Sequence, residues 1–425
     1  MDVTLLLGSF FLLMFIGVPV AISLCLSACL YIVCFMDIPL LIIGQQMLKG
    51  VDSFTLMAIP FFVIAGGLME SGGISTRIVD FSKSLVGHLP GGLAIVTILA
   101  SMIFAAMTGA GAATTAAVGG IMIPSMIKEG YNGGYASAIQ SVGGIFGPLI
   151  PPSILMVLYS VASGESAGDM LLAGLIPGLF LGFVLLSVVV FQCYKKGYKG
   201  VGSFSLKFAL KSFFQSTWAI LAPIIILGGI YTGIFTPTEA SAIACLYCLI
   251  IGLFVYRELK FNTLGKVVFK SVKSAAGIML IVAATQAFGW VLTRAGTPQM
   301  VAEGFASVIS SPMLFMFAVV LILLIAGCFI DAVPALLIFA PILIPSANAY
   351  DINLIHFGVI MIVTLCVGLA TPPVGLNLFV ASSVGKVPVH KIFPHLPMPL
   401  LAILIGTLII VMVPDFSTLL PSMMK

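Results

Sequence analysis

From Val3 to Met36 the chain carries no charged side chain. About 20 consecutive apolar residues suffice for a helix to cross the hydrocarbon of a bilayer, and comparable apolar runs recur along the whole sequence. Only 8% of the 425 residues are charged and 61% are hydrophobic, whereas soluble domains carry about 25% charged residues. A soluble fold of this length would need far more polar surface to cover its core. The chain therefore reads as an all-α polytopic membrane protein with the lipid bilayer as its partner. The run 3–36 reads as a retained first span, because no basic segment precedes it and it exceeds the apolar core of a signal peptide.

The net charge of +4 does not point to nucleic acid, because the basic residues do not share one soluble face. Lys195, Lys196, Lys199, Lys207 and Lys211 form one cluster, and Arg257, Lys260, Lys266, Lys270 and Lys273 form a second, opposed only by Glu258. Basic loops stay in the cytoplasm, so both clusters are expected there. The segment 212–256 between them then crosses twice and turns near Thr236-Pro237-Thr238. The N-terminus, with Met1 and Asp2 and no basic residue before Lys49, is placed outside.

Enzyme chemistry finds little support. Cys245-x-x-Cys248 has metal-like spacing without a second pair or a histidine, and the eight cysteines lie mostly in apolar runs. His88, His356, His390 and His395 are scattered, with no His-Glu-x-x-His and no nucleophile–base arrangement. No Gly-x-x-x-x-Gly-Lys-[Ser/Thr] loop is present to cradle nucleotide phosphates.

An internal repeat organises the chain. Pro124-Ser125 recurs as Pro345-Ser346, Gly147 as Gly368, and Pro151-Pro152 as Pro372-Pro373, each 221 positions on; Pro19 matches Pro237 at an offset of 218. Two halves follow, 1–194 and 212–425, joined by a Lys-rich cytoplasmic linker, 195–211. An odd number of crossings in the first half would invert the second, the usual architecture of secondary transporters. In half one the expected spans are 3–36, 54–71 and 92–107, a re-entrant hairpin over 108–127, a broken helix over 135–163, and 168–194. In half two they are 214–235, 238–256, 274–293 and 312–329, a hairpin over 330–348, a broken helix over 354–384, and 395–413.

The breaks are where chemistry is expected. Proline lacks an N–H and disfavours helical geometry in its predecessor, so Pro-Pro opens a helix and frees carbonyls that lipid cannot satisfy. A bound hard cation is one solution. Gly147 and Ser153 flank the first break; Gly368, Thr371 and Asn377 flank the second. A kinked packing helix is the bland alternative. The run Thr108–Gly120, with Thr108, Gly109, Thr114 and Thr115, has the small residues of either a hairpin tip or tight helix packing. Its counterpart lies around Asp331. Three charges interrupt apolar stretches: Glu239, Arg294 and Asp331. Charges at membrane depth are costly and usually functional, although Asp331 and Glu239 could simply cap helices and Arg294 could snorkel to the interface. Glu70, Glu165, Asp169 and Glu303 fall near span ends and read as solvated.

Several stretches resemble the large membrane subunit of TRAP (tripartite ATP-independent periplasmic) transporters: "FIGVPVAISL" (15–24), "IPFFVIAGGLMESGGI" (59–74), "GAGAATTAAVGGIMIP" (109–124), "GPLIPPS" (147–153), "GIFTPTEASAIA" (233–244) and "GLATPPVGLNLFV" (368–380). The resemblance spans nearly the whole chain and comes nearest the sialic-acid branch. It implies two inverted repeats in an elevator-type fold in the bacterial inner membrane. It also implies a separate small four-helix membrane subunit, a periplasmic substrate-binding protein that delivers an organic acid, and coupling to Na⁺. Carried onto this sequence, one Na⁺ would lie by Gly147, Pro151 and the first hairpin tip, and a second by Gly368, Thr371 and Val374. Thr108, Gly109, Thr114, Thr115, Ser153, Asp331, Asn377 and Arg294 would face the substrate, and Glu239 would be a structural or functional polar position. A stand-alone carboxylate or ion antiporter of similar fold is the alternative function. An intramembrane enzyme and a channel are weaker ones.

Overall fold

The computed structural model describes residues 2–200 and 205–423. Met1 and the middle of the Lys-rich linker, 201–204, lie outside the described residues, as do 424–425.

The first apolar run does not form one span. It divides into α1 (Asp2–Phe15) and α2 (Val20–Phe35), which pack against each other. Gly17 takes φ +95°, and its N–H and that of Val18 donate to the Met14 and Leu13 carbonyls. This is the paired closure that glycine allows at a helix C-terminus. Pro19 then precedes the first turn of α2, where a missing N–H costs nothing. A charge-free run signals burial in lipid; the Gly-x-Pro inside it decides where the helix stops.

The next span, expected at 54–71, is a bent pair. α3 (Leu41–Val51) meets α4 (Ala58–Ser71) at 72°. Gly73 at φ +76° starts α5 (Ile74–Val86). There Arg77 pairs with Glu258 at 2.6 Å and stacks over the Tyr256 ring at 3.8 Å, tying α5 to the second half.

The expected span 92–107 and hairpin 108–127 are a single hairpin. α6 (Gly92–Thr108) and α7 (Gly111–Lys128) are joined by a turn of only Gly109 and Ala110. The broken helix follows as α8 (Gly133–Gly143) and α9 (Ile154–Ser163), and α10 (Ala167–Ala173) and α11 (Leu175–Lys196) close the half.

Half two repeats the order. α12 (Leu206–Tyr231) and α13 (Pro237–Ile250) lead to α14 (Phe261–Arg294) and α15 (Thr297–Val308). α14 starts thirteen residues before the expected 274, so Lys266, Lys270 and Lys273 lie on its first turns and not in a loop. Lysine is a good helix former and no proline interrupts this stretch. At 34 residues α14 is about 50 Å long, more than the hydrocarbon requires.

The hairpin expected over 330–348 is instead a turn at Ile330 and Asp331 followed by one continuous helix, α17 (Ala332–Ala349); the arm before the turn is α16 (Pro312–Phe329), which packs mainly on the helix at Leu354–Gly368 and touches α17 little. The second broken helix is α18 (Leu354–Gly368) and α19 (Leu376–Gly385). α20 (Val389–Ile392), α21 (Pro397–Met412) and α22 (Asp415–Met423) end the chain. Six helices are long and apolar enough to cross a membrane, or eight if each bent pair counts as one, among the described residues.

The two breaks match locally, since Pro151-Pro152 and Pro372-Pro373 are both cis. Packing around them is reciprocal. α7 lies against α8 of its own half and α19 of the other; α17 lies against α18 of its own half and α9 of the other. Around this centre, α14 packs on α2, α3 and α4, and α13 packs on α4. The environments of the breaks differ. Residues 147–160 are all buried, whereas Pro373, Val374, Leu376 and Phe379 are exposed.

Candidate functional site

The first hairpin turn is built from small residues because it sits directly on the first break. Gly109 takes φ +63°, and a β-carbon there would stand 2.8 Å from the Pro152 carbonyl oxygen. A β-carbon on Gly147 would stand 2.5 Å from the Ala110 oxygen and 2.8 Å from the Thr114 hydroxyl. The Thr108 and Thr114 hydroxyls meet at 3.0 Å, and Thr114 also donates to the Ala110 carbonyl at 3.0 Å. Ser153 is fully buried. Its hydroxyl donates to the Pro148 carbonyl and accepts from the Met156 N–H, capping α9. Ser153 therefore holds the break together and does not face an open cavity.

Behind the turn, Thr115 and Asn377 come together across the two halves, both fully buried. The Asn377 side-chain N–H donates to the Ser141 carbonyl at 3.3 Å. Its Oδ1, and the Thr115 hydroxyl oxygen, have no hydrogen-bond partner, and both side chains abut Gly144 or Gly111. Buried oxygens without partners are costly, and a cluster of oxygen donors suits a small hard cation. On that ground the residues around the first break fit Na⁺.

At the second break, Thr371 donates to the Val367 carbonyl at 2.8 Å, leaving its oxygen lone pairs available. Gly368 lies against the backbone of Gly327. The Val374 side chain points to the exposed side, so any ligand from that residue would be its backbone carbonyl.

Two adjoining cavities reach the hairpin turns. The inner one, about 260 Å³, is lined by Gly109, Gly111, Pro148, Asp331, Val333 and Leu376, among others. The outer one, about 330 Å³, extends past Thr108 and Ser271 to Glu70 and Lys270. Ala110, Ala113, Ile154, Ser274 and Ile278 line both. They therefore form one path from the lysine-bearing end of α14 to both hairpin tips. Asp331 is exposed to this path and one of its oxygens accepts from the Ala332 N–H at 2.8 Å. The capping role foreseen for it is real, but it uses one oxygen of two.

Not every candidate converges. Arg294 lies 20 residues beyond Ser274 on α14, about 30 Å along the helix, and sits over the Trp290 ring at 5.5 Å. Glu239 is exposed and forms a capping box with Thr236, accepting from its N–H at 2.8 Å and its hydroxyl at 2.9 Å. That local role accounts for an acid at this position. Conversely, Glu70, expected to be solvated near a span end, and Lys270, expected in a cytoplasmic cluster, line the path together with Ser271 and Ser274, which the sequence did not single out. Only the serines within an apolar helix could have signalled it.

Over residues 7–416 the chain matches the family profile described as the tripartite ATP-independent periplasmic transporter, DctM component. The chain belongs to the DctM family. The permease is 42% identical to the C4-dicarboxylate TRAP transporter large permease protein of Pseudomonas aeruginosa, over 94% of each chain. It is 39% identical to the sialic acid TRAP transporter large permease protein of Vibrio cholerae, over 97% of this chain and 96% of the other. It is 38% identical to the 2,3-diketo-L-gulonate TRAP transporter large permease protein of Escherichia coli, over 89% and 90%. Among solved structures it is similar to the YdaH transporter of Alcanivorax borkumensis, with a TM-score of 0.60 at 15% identity over 88% and 87% of the chains. At that identity the likeness speaks to the permease's fold alone.

Proposed function

We propose that the permease takes up an organic acid across the bacterial inner membrane, coupled to Na⁺, by alternating access of an elevator type. A periplasmic binding protein delivers the acid, and a small membrane subunit completes the transporter. Relatives named for sialic acid, a C4-dicarboxylate and 2,3-diketo-L-gulonate supply the substrate class. The lysine-bearing end of α14 faces the cytoplasm on this reading, so the path to the hairpin tips opens inward.

The observation that carries the reading is the charge of the inner cavity. Its lining contains Asp331 and no basic side chain. A carboxylate entering beside Asp331 meets repulsion in a poorly screened site. The first turns of α7 and α17 at the two hairpin tips offset part of it through their positive dipole ends. Cations held at the breaks would offset the rest, which couples the acid to Na⁺. When bound, Na⁺ would supply positive charge; Thr115 of half one together with Asn377 of half two, and Thr371 at the second break, are the residues that would hold it. The duplication into two matched units, crossing in opposite directions on this reading, supports alternating access.

The test is uptake into proteoliposomes holding the permease and its small subunit, with the binding protein outside. Labelled sialic acid, succinate and 2,3-diketo-L-gulonate are offered under an inward Na⁺ gradient. Uptake of one acid that requires both Na⁺ and binding protein is the expected result. Equal uptake without Na⁺, or without binding protein, would overturn the reading.

A further inference from the structure

A second hollow, about 360 Å³, lies farther along α14 toward Arg294. Its walls continue those of the inner cavity. Ile154, Ile278 and Val333 line the inner cavity; Leu158, Val282 and Leu337, each four residues on, line this one. The two spaces are therefore stacked along α9, α14 and α17 and separated by one helical turn, about 6 Å of rise. On the orientation proposed above, the second hollow is on the periplasmic side.

Its chemistry differs from that of the inner cavity. Thr285 lines it with only 5% of its surface exposed, and its hydroxyl has no hydrogen-bond partner. Gln286, Trp290 and Thr293 line the same side, adding an amide, an indole and a hydroxyl that already donates to the Gly289 carbonyl and can only accept. Arg294 does not itself line the hollow, but its guanidinium sits over the Trp290 ring, 5.5 Å from its centroid, and no acid is in the lining. Where the inner cavity presents a negative charge, this one presents neutral polar groups, with a guanidinium beside its Trp290 wall.

We propose that this hollow is a receiving site for the organic acid, which it holds before the central site becomes accessible. It rests on the uptake reading above. Carboxylate recognition falls to Arg294 and hydroxyl or carbonyl recognition to Thr285 and Gln286. Because the positive charge beside it is built in, it binds the acid without Na⁺, unlike the central site.

The chain has two tryptophans, so Trp218→Phe, a change on exposed α12, leaves Trp290 as the sole indole reporter. Purified full-length protein of this background is titrated with sialic acid and with succinate in Na⁺-free choline buffer. The expected result is a saturable change in Trp290 emission with one acid. Its midpoint rises at least about fivefold in Thr285→Val and in Arg294→Gln, stays near the starting value in Thr285→Ser, and is unmoved by Thr371→Ala. The absence of a saturable change, or a change that needs Na⁺ and vanishes with Thr371→Ala, would overturn the site. Uptake by the same background protein separates the two readings. A transported acid with a silent Trp290 sinks the receiving site alone, whereas neither transport nor response sinks both.

Discussion

Replacing Gly368 with alanine tests the packing on which the second break depends. The new β-carbon would stand 2.5, 2.6 and 2.9 Å from the backbone carbon, Cα and oxygen of Gly327. Ordinary contact begins near 3.4 Å, so α16 and α18 must part by about 1 Å. The obstacle is backbone and cannot rotate aside. Overpacking of this kind costs about 1–3 kcal/mol, and the rigid neighbour places this case toward the upper end. Part of the strain would move α16, which ends just before Ile330 and Asp331. A displacement near 1 Å at a binding site lowers rates on the order of 10²-fold. Gly368→Ala should therefore melt at lower temperature and take up substrate at least about tenfold more slowly at matched reconstituted protein. The control is Gly277→Ala on α14, where a β-carbon meets nothing within 4 Å. There alanine favours the helix by about 1 kcal/mol, and both readouts should hold or improve. Wild-type melting and uptake in Gly368→Ala would refute the close approach of the two helices.

Other substitutions separate local roles from transport. Asp331→Asn keeps a capping oxygen but removes the charge, so folding should hold while the Na⁺ concentration for half-maximal uptake rises; unchanged Na⁺ dependence would reduce Asp331 to a cap. Glu239→Ala opens an exposed capping box, and differential scanning should register a small loss of stability with uptake within about twofold of wild type. Arg77→Ala breaks a partly exposed ion pair worth about 0.2–1 kcal/mol, and Arg77→Glu with Glu258→Arg should recover the melting temperature that either change alone lowers.

What could be read from the sequence was governed by how locally each signal acts. Proline and glycine act on their own backbone, so both breaks and the Asp331 turn were visible, as were stretches shared with DctM proteins. The hairpin turns were placed only approximately, because Thr108 to Gly120 is uniformly small and the turn occupies two residues of it. The split of 3–36 was legible in Gly17 and Pro19 but was outweighed by the absence of charge. The true start of α14 was hidden because lysines suit both a loop and a helix end. Partnership across space was not legible. Thr115 meets Asn377 only because α7 packs on α19, and Arg294 parts from Asp331 only because α14 is long and straight enough to carry it away.

The unequal surroundings of two otherwise matched breaks have a consequence for the molecule's range of shapes. Half one keeps its break covered, with α9 resting on α4, whereas half two leaves Pro373 and Val374 uncovered. Two breaks of matched local conformation thus sit in different surroundings. Under the alternating access proposed above, exchanging the surroundings of the two halves would bring Pro151 and Pro152 to the surface and enclose Pro372 and Pro373. Reagents that reach a cysteine placed at Val374 but not one at Ile150 would report the present arrangement, and a reversal of that preference would report the exchanged one.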